Sequence, residues 1–145
     1  MISARLPLAL ETGGLAVPAG RIAVFHPASD ANLHDLPLQQ CDVIHPFRPA
    51  YDAFASAGYA CAVAPSDRYA MSVVCLPRAK AEARVLIAQA AACTDGPIIV
   101  DGQKTDGVDS IYKELRKRAD VSTTISKAHG KLFWINSHDG LQDWA

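Results

Sequence analysis

Two short stretches of the sequence concentrate residue types that hold anions or move protons. In the first, Asp101-Gly-Gln-Lys-Thr-Asp-Gly107, Lys104 stands beside two turn glycines and the predicted start of a helix. Backbone N–H groups and the helix dipole favour a phosphate or carboxylate at such a place. Asp101 falls at the end of a predicted strand, where some α/β enzymes carry a general base. The same residues also read as a plain turn: Gly102 supplies an unusual φ, Asp106 caps the next helix, and Lys104 is simply solvated. In the second stretch, Ser126-Lys-Ala-His-Gly-Lys131, two lysines and a histidine surround a glycine. They either contact phosphate or form the polar tip of a hairpin.

Other chemistry finds little support. Gly-x-Ser-x-Gly, His-Glu-x-x-His and Gly-Lys-Ser/Thr do not occur. Cys41, Cys61, Cys75 and Cys93 are widely spaced and sit in apolar runs, so they read as buried free thiols rather than zinc ligands. The five histidines are scattered. No catalytic, cofactor-binding or metal-ligating residues are expected from these patterns.

The elements that must position the two stretches alternate in type. Arg21–Phe25, Asp42–His45, Ala60–Ala64, Met71–Leu76 and Pro97–Asp101 are predicted strands. They are continuous apolar runs, as in a sheet covered on both faces. A short helix is predicted over Pro49–Ala57. A longer one opens at Pro77, with an apolar stripe of Ala79, Ala83, Leu86, Ile87 and Ala90. Another follows Asp106 and buries Val108, Ile111, Tyr112, Leu115 and Ala119, with i,i+4 pairs Asp109/Lys113 and Glu114/Arg118 on its wet side. Val121–Ile125 and Lys131–Ile135 read as a closing pair of strands. Met1–Glu11 has helical character interrupted by Pro7, and Gly13-Gly14 reads as its C-cap. This order predicts a three-layer α/β sandwich with a mostly parallel, Rossmann-like sheet.

In such sheets a nucleotide approaches the turn after the first strand, where glycines let the backbone come close. Here that turn is Phe25-His-Pro-Ala-Ser-Asp30-Ala-Asn-Leu-His34, without a glycine. A dinucleotide or S-adenosylmethionine pocket is therefore not expected at the usual position.

With 145 residues, half of them apolar, and a net charge of −1, the chain is of single-domain size and is not a disordered polymer. Its longest uninterrupted apolar stretch, Tyr59–Ala64, is far too short for a membrane span, and no signal peptide is visible. Cytoplasmic placement is expected. Residues 104–131 carry seven basic and four acidic groups, a local bias compatible with phosphate contact. The end, with Trp144 close to the last residue, predicts a domain over 1–136 and the start of a linker over 137–145.

Three ordered pieces carry a family resemblance: Leu76-Pro-Arg-Ala-Lys-Ala-Glu-Ala83, Val100-Asp-Gly-Gln-Lys-Thr-Asp-Gly-Val-Asp-Ser110 and Ser126-Lys-Ala-His-Gly-Lys-Leu-Phe-Trp134. The chain resembles the N-terminal half of the bacterial 16S rRNA guanine-N2 methyltransferases of the C-type. The likeness is best over 71–135 and weaker over 1–60. It implies two methyltransferase-like modules in tandem. The second would bind S-adenosylmethionine and hold the target amine with an Asn-Pro-Pro-aromatic motif, which this sequence lacks. It also implies that this chain is the non-catalytic module, inactive alone, which supports the catalytic domain and helps engage ribosomal RNA. Arg78, Lys80, Lys104, Lys127, His129 and Lys131 are the RNA-contact candidates, and the cluster Lys113, Arg116, Lys117 and Arg118 is expected to be a solvated face. The alternative is a stand-alone α/β protein that binds a nucleotide or phosphate through Asp101–Gly107.

Overall fold

The computed structural model describes residues 2–137 and 139–144. Helix α1 (Ile2–Glu11) leads into strand β1 (Ile22–Phe25), followed by β2 (Cys41–Ile44), α2 (Arg48–Ser56), β3 (Ala60–Ala62), β4 (Met71–Cys75), α3 (Lys80–Cys93) and β5 (Ile98–Gln103). Then come α4 (Val108–Arg116), β6 (Asp120–Val121), β7 (Ile125–Lys127) and β8 (Gly130–Ser137). The strands form one sheet in the order β3-β2-β1-β4-β5-β8-β6, with β7 also paired to β8. Strands β1 to β5 are parallel, and β8 runs antiparallel to β5, β6 and β7. The order reverses between β1 and β4, which makes the crevice at their carboxyl ends the topological switch point.

Alternation along the central strands divides the core into two. Ile22 and Val24 of β1, Met71 and Val73 of β4, Ile99 of β5 and Leu132 of β8 face Ile2, Leu6 and Ala9 of α1 and Phe54 of α2. Ala23, Phe25, Val74, Ile98, Val100, Phe133 and Ile135 face α3 and α4 through Leu86, Ile87, Ile111 and Leu115. Burial on both faces explains why these strands read as unbroken apolar runs. The three-layer, mostly parallel α/β architecture is as the sequence predicts.

Several local details differ. Ala79 is the exposed N-cap of α3 rather than part of its buried stripe. The predicted strand Val121–Ile125 is split into β6 and β7, both paired to β8. Of the four free cysteines only Cys41 is fully buried; burial pushes its thiol up to about 11. The i,i+4 pairs expected on α4 do not form. Asp109 binds Lys131 (2.6 Å), Glu114 binds Lys80 and Arg84, and Arg118 binds Asp143, so α4 is tied to its neighbours instead. Helix α1 persists through Pro7 because Ile2, Leu6 and Ala9 are anchored in the core. It ends as expected: Gly14 takes φ +81° and Leu15 N–H reaches back to the Ala9 carbonyl.

The segment expected to begin a linker is packed. Strand β8 continues to Ser137, and residues 139–144 form 3-10 turns with Leu141 and Trp144 buried in the α3–α4 core. Arg118 lies over the Trp144 ring, 5.1 Å from its centroid. The folded body thus extends to Trp144. Among the described residues no helix is long and apolar enough to cross a membrane.

Candidate functional site at the carboxyl edge of the sheet

Two concavities lie along the edge where the parallel strands end. The first is a cavity of about 420 Å³ at the switch point, lined by His26, His45, Phe47, Leu76, Gln103 and Asp106 among others. His26 directly follows β1 and adopts φ +55°, the left-handed conformation that a glycine would take without strain. Its ring stacks on His45, with centroids 5.1 Å apart. His45 donates from Nε2 to the Pro27 carbonyl (3.0 Å) and accepts the Phe47 N–H at Nδ1 (3.2 Å). This pattern fixes a neutral tautomer, since a protonated Nδ1 would meet another donor.

An adenosine-type cofactor fits this cavity poorly. The turn after β1 carries a side chain where the backbone must approach the ligand. His45 stands at the end of β2, where an acidic residue would take a ribose hydroxyl, and both its nitrogens are engaged.

Burial lowers the affinity of both imidazoles for a proton, and each would repel the other's charge; Glu82, 3.8 Å from His26, opposes this weakly. The sign follows from the lowered folded-state pKa values. The contribution of the neutral pair is present above the unfolded value near 6.5 and is lost as pH falls below it. The urea midpoint is expected to drop between pH 7.5 and pH 5, and a His26→Gln/His45→Gln variant should flatten that drop. An equal drop in the variant would remove the pair as its cause.

Beside this cavity, the end of β5 is clasped by a buried arginine. Arg5, on α1, is fully buried. It donates to Asp101 through Nε (2.6 Å) and Nη2 (3.0 Å), to Gln103 Oε1 (2.8 Å) and to the Lys127 carbonyl (2.8 Å). Asp101 is therefore a structural anchor: both of its oxygens are held by one guanidinium. No sequence signal marks Arg5, which lies 96 positions from its partner.

The loop after β5 also departs from its expected form. Gly102 and Gln103 belong to the strand, and Gly102 is small because a Cβ there would come within 2.8 Å of Leu76 Cδ1. Asp106 does not cap α4. Its carboxylate accepts the Gln103 N–H and closes a 3-10 turn over Lys104–Asp106, while α4 starts from Gly107 at φ +78°. The N–H groups of Gln103, Lys104 and Gly107 are already bonded, to Asp106, the His129 carbonyl and the Lys104 carbonyl. These three amides are therefore spent within the loop.

The second concavity, about 380 Å³, brings the two sequence stretches together: Lys104 and Val108 from one side, Lys127, His129 and Lys131 from the other, with Asp109 between them. The hairpin tip is a two-residue turn, Ala128 and His129 at φ +54° and +60°, which matches the twist of the β7–β8 ribbon. Lys131 is paired with Asp109, whose carboxyl is held below its usual range chiefly by that hydrogen bond. Arg78 and Lys80 do not line this cleft. Lys80 is engaged by Glu114 and Ser110 (2.5 Å each), so the six candidates do not all line one cleft. Among the described residues no three His, Cys, Asp or Glu side chains come together as a metal set.

A family model described as "Methyltransferase small domain N-terminal" matches residues 39–144, well over half of the chain. The chain belongs to this family. No curated protein matches the sequence significantly. Solved structures confirm that this small domain has the Rossmann-like fold of the S-adenosylmethionine-dependent methyltransferases. It is similar to the 16S rRNA N2 methyltransferase of T. thermophilus, solved with AdoMet and guanosine (TM-score 0.72, 16% identity), covering 93% of this chain but only 40% of that one. It is also similar to a Thermoplasma acidophilum protein (TM-score 0.68, 15% identity, 92% and 86% covered). A third is the magnesium protoporphyrin IX methyltransferase of Synechocystis with bound SAM (TM-score 0.58, 8% identity, 91% and 76% covered).

Proposed function

We propose that this chain is the non-catalytic N-terminal module of an S-adenosylmethionine-dependent rRNA guanine-N2 methyltransferase, acting in the cytoplasm. It supports a C-terminal catalytic domain that binds the cofactor and helps engage ribosomal RNA. The observation that carries this reading is the switch-point cavity: a methyltransferase fold whose first turn holds His26 where a glycine belongs and whose β2 end holds His45. A fold that keeps its sheet but obstructs the approach to its ligand end serves as scaffold and docking surface. The similarity to an rRNA methyltransferase more than twice as long supports a tandem arrangement.

Within this reading Lys104, Lys127 and His129 face the RNA, with Lys131 beside them on its Asp109 partner, and each phosphate contact adds to the salt dependence of binding. Arg78 is an accessory contact at most, and Lys80 is held by Glu114.

Calorimetric titration with S-adenosylmethionine tests the proposal. No saturable heat is expected, whereas a dissociation constant tighter than about 100 µM would mean a working cofactor site and overturn the non-catalytic assignment. In parallel, a Lys104→Ala/Lys127→Ala/Lys131→Ala variant should bind a 16S rRNA fragment more weakly than wild type and with a flatter salt dependence. Equal binding by the variant would remove the cleft from the RNA surface.

A further inference from the structure

Most of the cationic side chains in this domain are neutralised locally. Of its 14 lysines and arginines, Arg5, Arg21, Arg48, Arg68, Lys80, Arg84, Arg118 and Lys131 each bind a carboxylate. Among the described residues, those without a carboxylate partner are Arg78, Lys104, Lys113, Arg116, Lys117 and Lys127. Five of these six lie on α4 and its C-cap, in the turn just before it, or at the end of β7 across the cleft. A folded surface at a net charge of −1 has carboxylates to spare, so this segregation of unpaired charge is a property of one region rather than of the composition.

The five are continuous in space. Asp109, in the first turn of α4, feels Lys131, Lys104 and Lys113 together, which places the cleft and the helix on one side of the molecule. Lys113 is one turn further along, and Arg116 and Lys117 complete the same stripe at i+7 and i+8 from Asp109. All three are exposed and line a shared groove of about 530 Å³. Arg116 lies over the Tyr112 ring, 5.7 Å from its centroid, which holds its guanidinium beside the helix. The acidic residues of α4 and of the turn before it are engaged elsewhere: Asp109 by Lys131, Glu114 by Lys80 and Arg84 on the α3 side, and Asp106 by the Gln103 N–H; past the helix end the exposed Asp120 is the one carboxylate beside Arg116 and Lys117 for which the described contacts show no cation.

We infer that the outer face of α4, through Lys113, Arg116 and Lys117, is a second phosphate-binding segment that continues the Lys104/Lys127 cleft into one track for the sugar-phosphate backbone of RNA. The two turns from Asp109 to Lys117 rise about 12 Å. Together with the cleft this spans several consecutive phosphates of a single strand. The track contains no base-reading geometry, so it positions RNA without selecting sequence. This inference rests on the RNA-engaging reading above and replaces the expected solvated face.

The test uses the whole chain and a fluorescein-labelled single-stranded 16S rRNA fragment, with anisotropy read over a range of KCl concentrations. A Lys113→Gln/Arg116→Gln/Lys117→Gln variant, changed only at exposed positions, should keep the wild-type urea midpoint. Its binding should weaken at least tenfold, and the slope of log K against log salt should flatten by about 2, the value for three lost contacts on a single strand. Unchanged affinity and slope, with the Lys104/Lys127/Lys131 variant still impaired, would overturn the α4 segment and leave the cleft standing. Failure of the wild-type chain to bind the fragment at low salt would overturn the track and the RNA-engaging reading together.

Discussion

Replacing Arg5 with alanine is expected to cost about 3–5 kcal/mol of stability, because it leaves the Asp101 carboxylate buried and unpaired. For a domain of this size that is a fall in melting temperature of roughly 10 °C or more. The expectation follows from geometry. The guanidinium has no exposed surface and satisfies three groups at once: Asp101, Gln103 and the Lys127 carbonyl. Lysine cannot substitute, since a single ammonium on a shorter reach does not reproduce the forked contact with both carboxylate oxygens. An Arg5→Met/Asp101→Leu double variant should lose less than the two single variants predict together, because neither member is then left as an uncompensated charge. Urea unfolding of the four proteins measures this. Single losses below about 1 kcal/mol, the scale of an exposed pair, would show that the clasp is not what holds α1 to the sheet.

Gly96→Ala should be comparably damaging for a steric reason. The connection from α3 to β5 runs flush against residues 69–70: Tyr69 N–H bonds to Cys93 O, Asp95 N–H to Tyr69 O, and Ser72 N–H to Pro97 O. A Cβ at residue 96 would collide with the Ala70 carbonyl, a backbone atom that cannot swing aside. Relief requires parting two segments held by those bonds, so a loss of about 3 kcal/mol or more is expected. Gly107→Ala is the informative contrast. Its Cβ would meet nothing within 4 Å, and only the strain of φ +78° remains, which is on the order of 1–2 kcal/mol. Equilibrium unfolding should rank Gly96→Ala well below Gly107→Ala. Equal losses would mean that the chain at 94–97 yields more easily than its hydrogen bonds imply.

What could be read in advance was whatever depends on neighbours in sequence. The first two strands of the central sheet are apolar runs stopped by Pro27 and Pro46, and the helices carry their stripes and caps nearby, as Gly58 does for α2. The fold class and the approximate place of most elements followed. The hairpin at Ala128-His129 was legible as a tip, although its two left-handed residues include neither glycine nor asparagine. What could not be read depends on partners brought together by topology. Arg5 carries no signal in the sequence, and Asp101 stands out only as an acid at a strand end; each is explained by the other. The charges of α4 suggested pairs along the helix, yet α3 and β8 supplied closer partners. At the candidate site, the missing glycines after β1 were visible at once. The stacked imidazoles that take their place required β2 to be set beside β1. Likewise, which lysines are spent and which are available to a ligand is a fact about three dimensions.

The clasp also bears on the order in which the protein is made. Helix α1 is the first described segment to be synthesised, but its guanidinium seeks Asp101, Gln103 and Lys127, and its side chains pack on Ile99 and Leu132. Until those residues leave the ribosome, Ile2, Leu6 and Ala9 have no finished surface to cover. The chain's beginning therefore waits for its end, and closure over more than a hundred residues falls late in folding, where long-range contacts make the process slow. Nascent chains halted before residue 101 should present α1 to proteases and chaperones, and those extended past β8 should not.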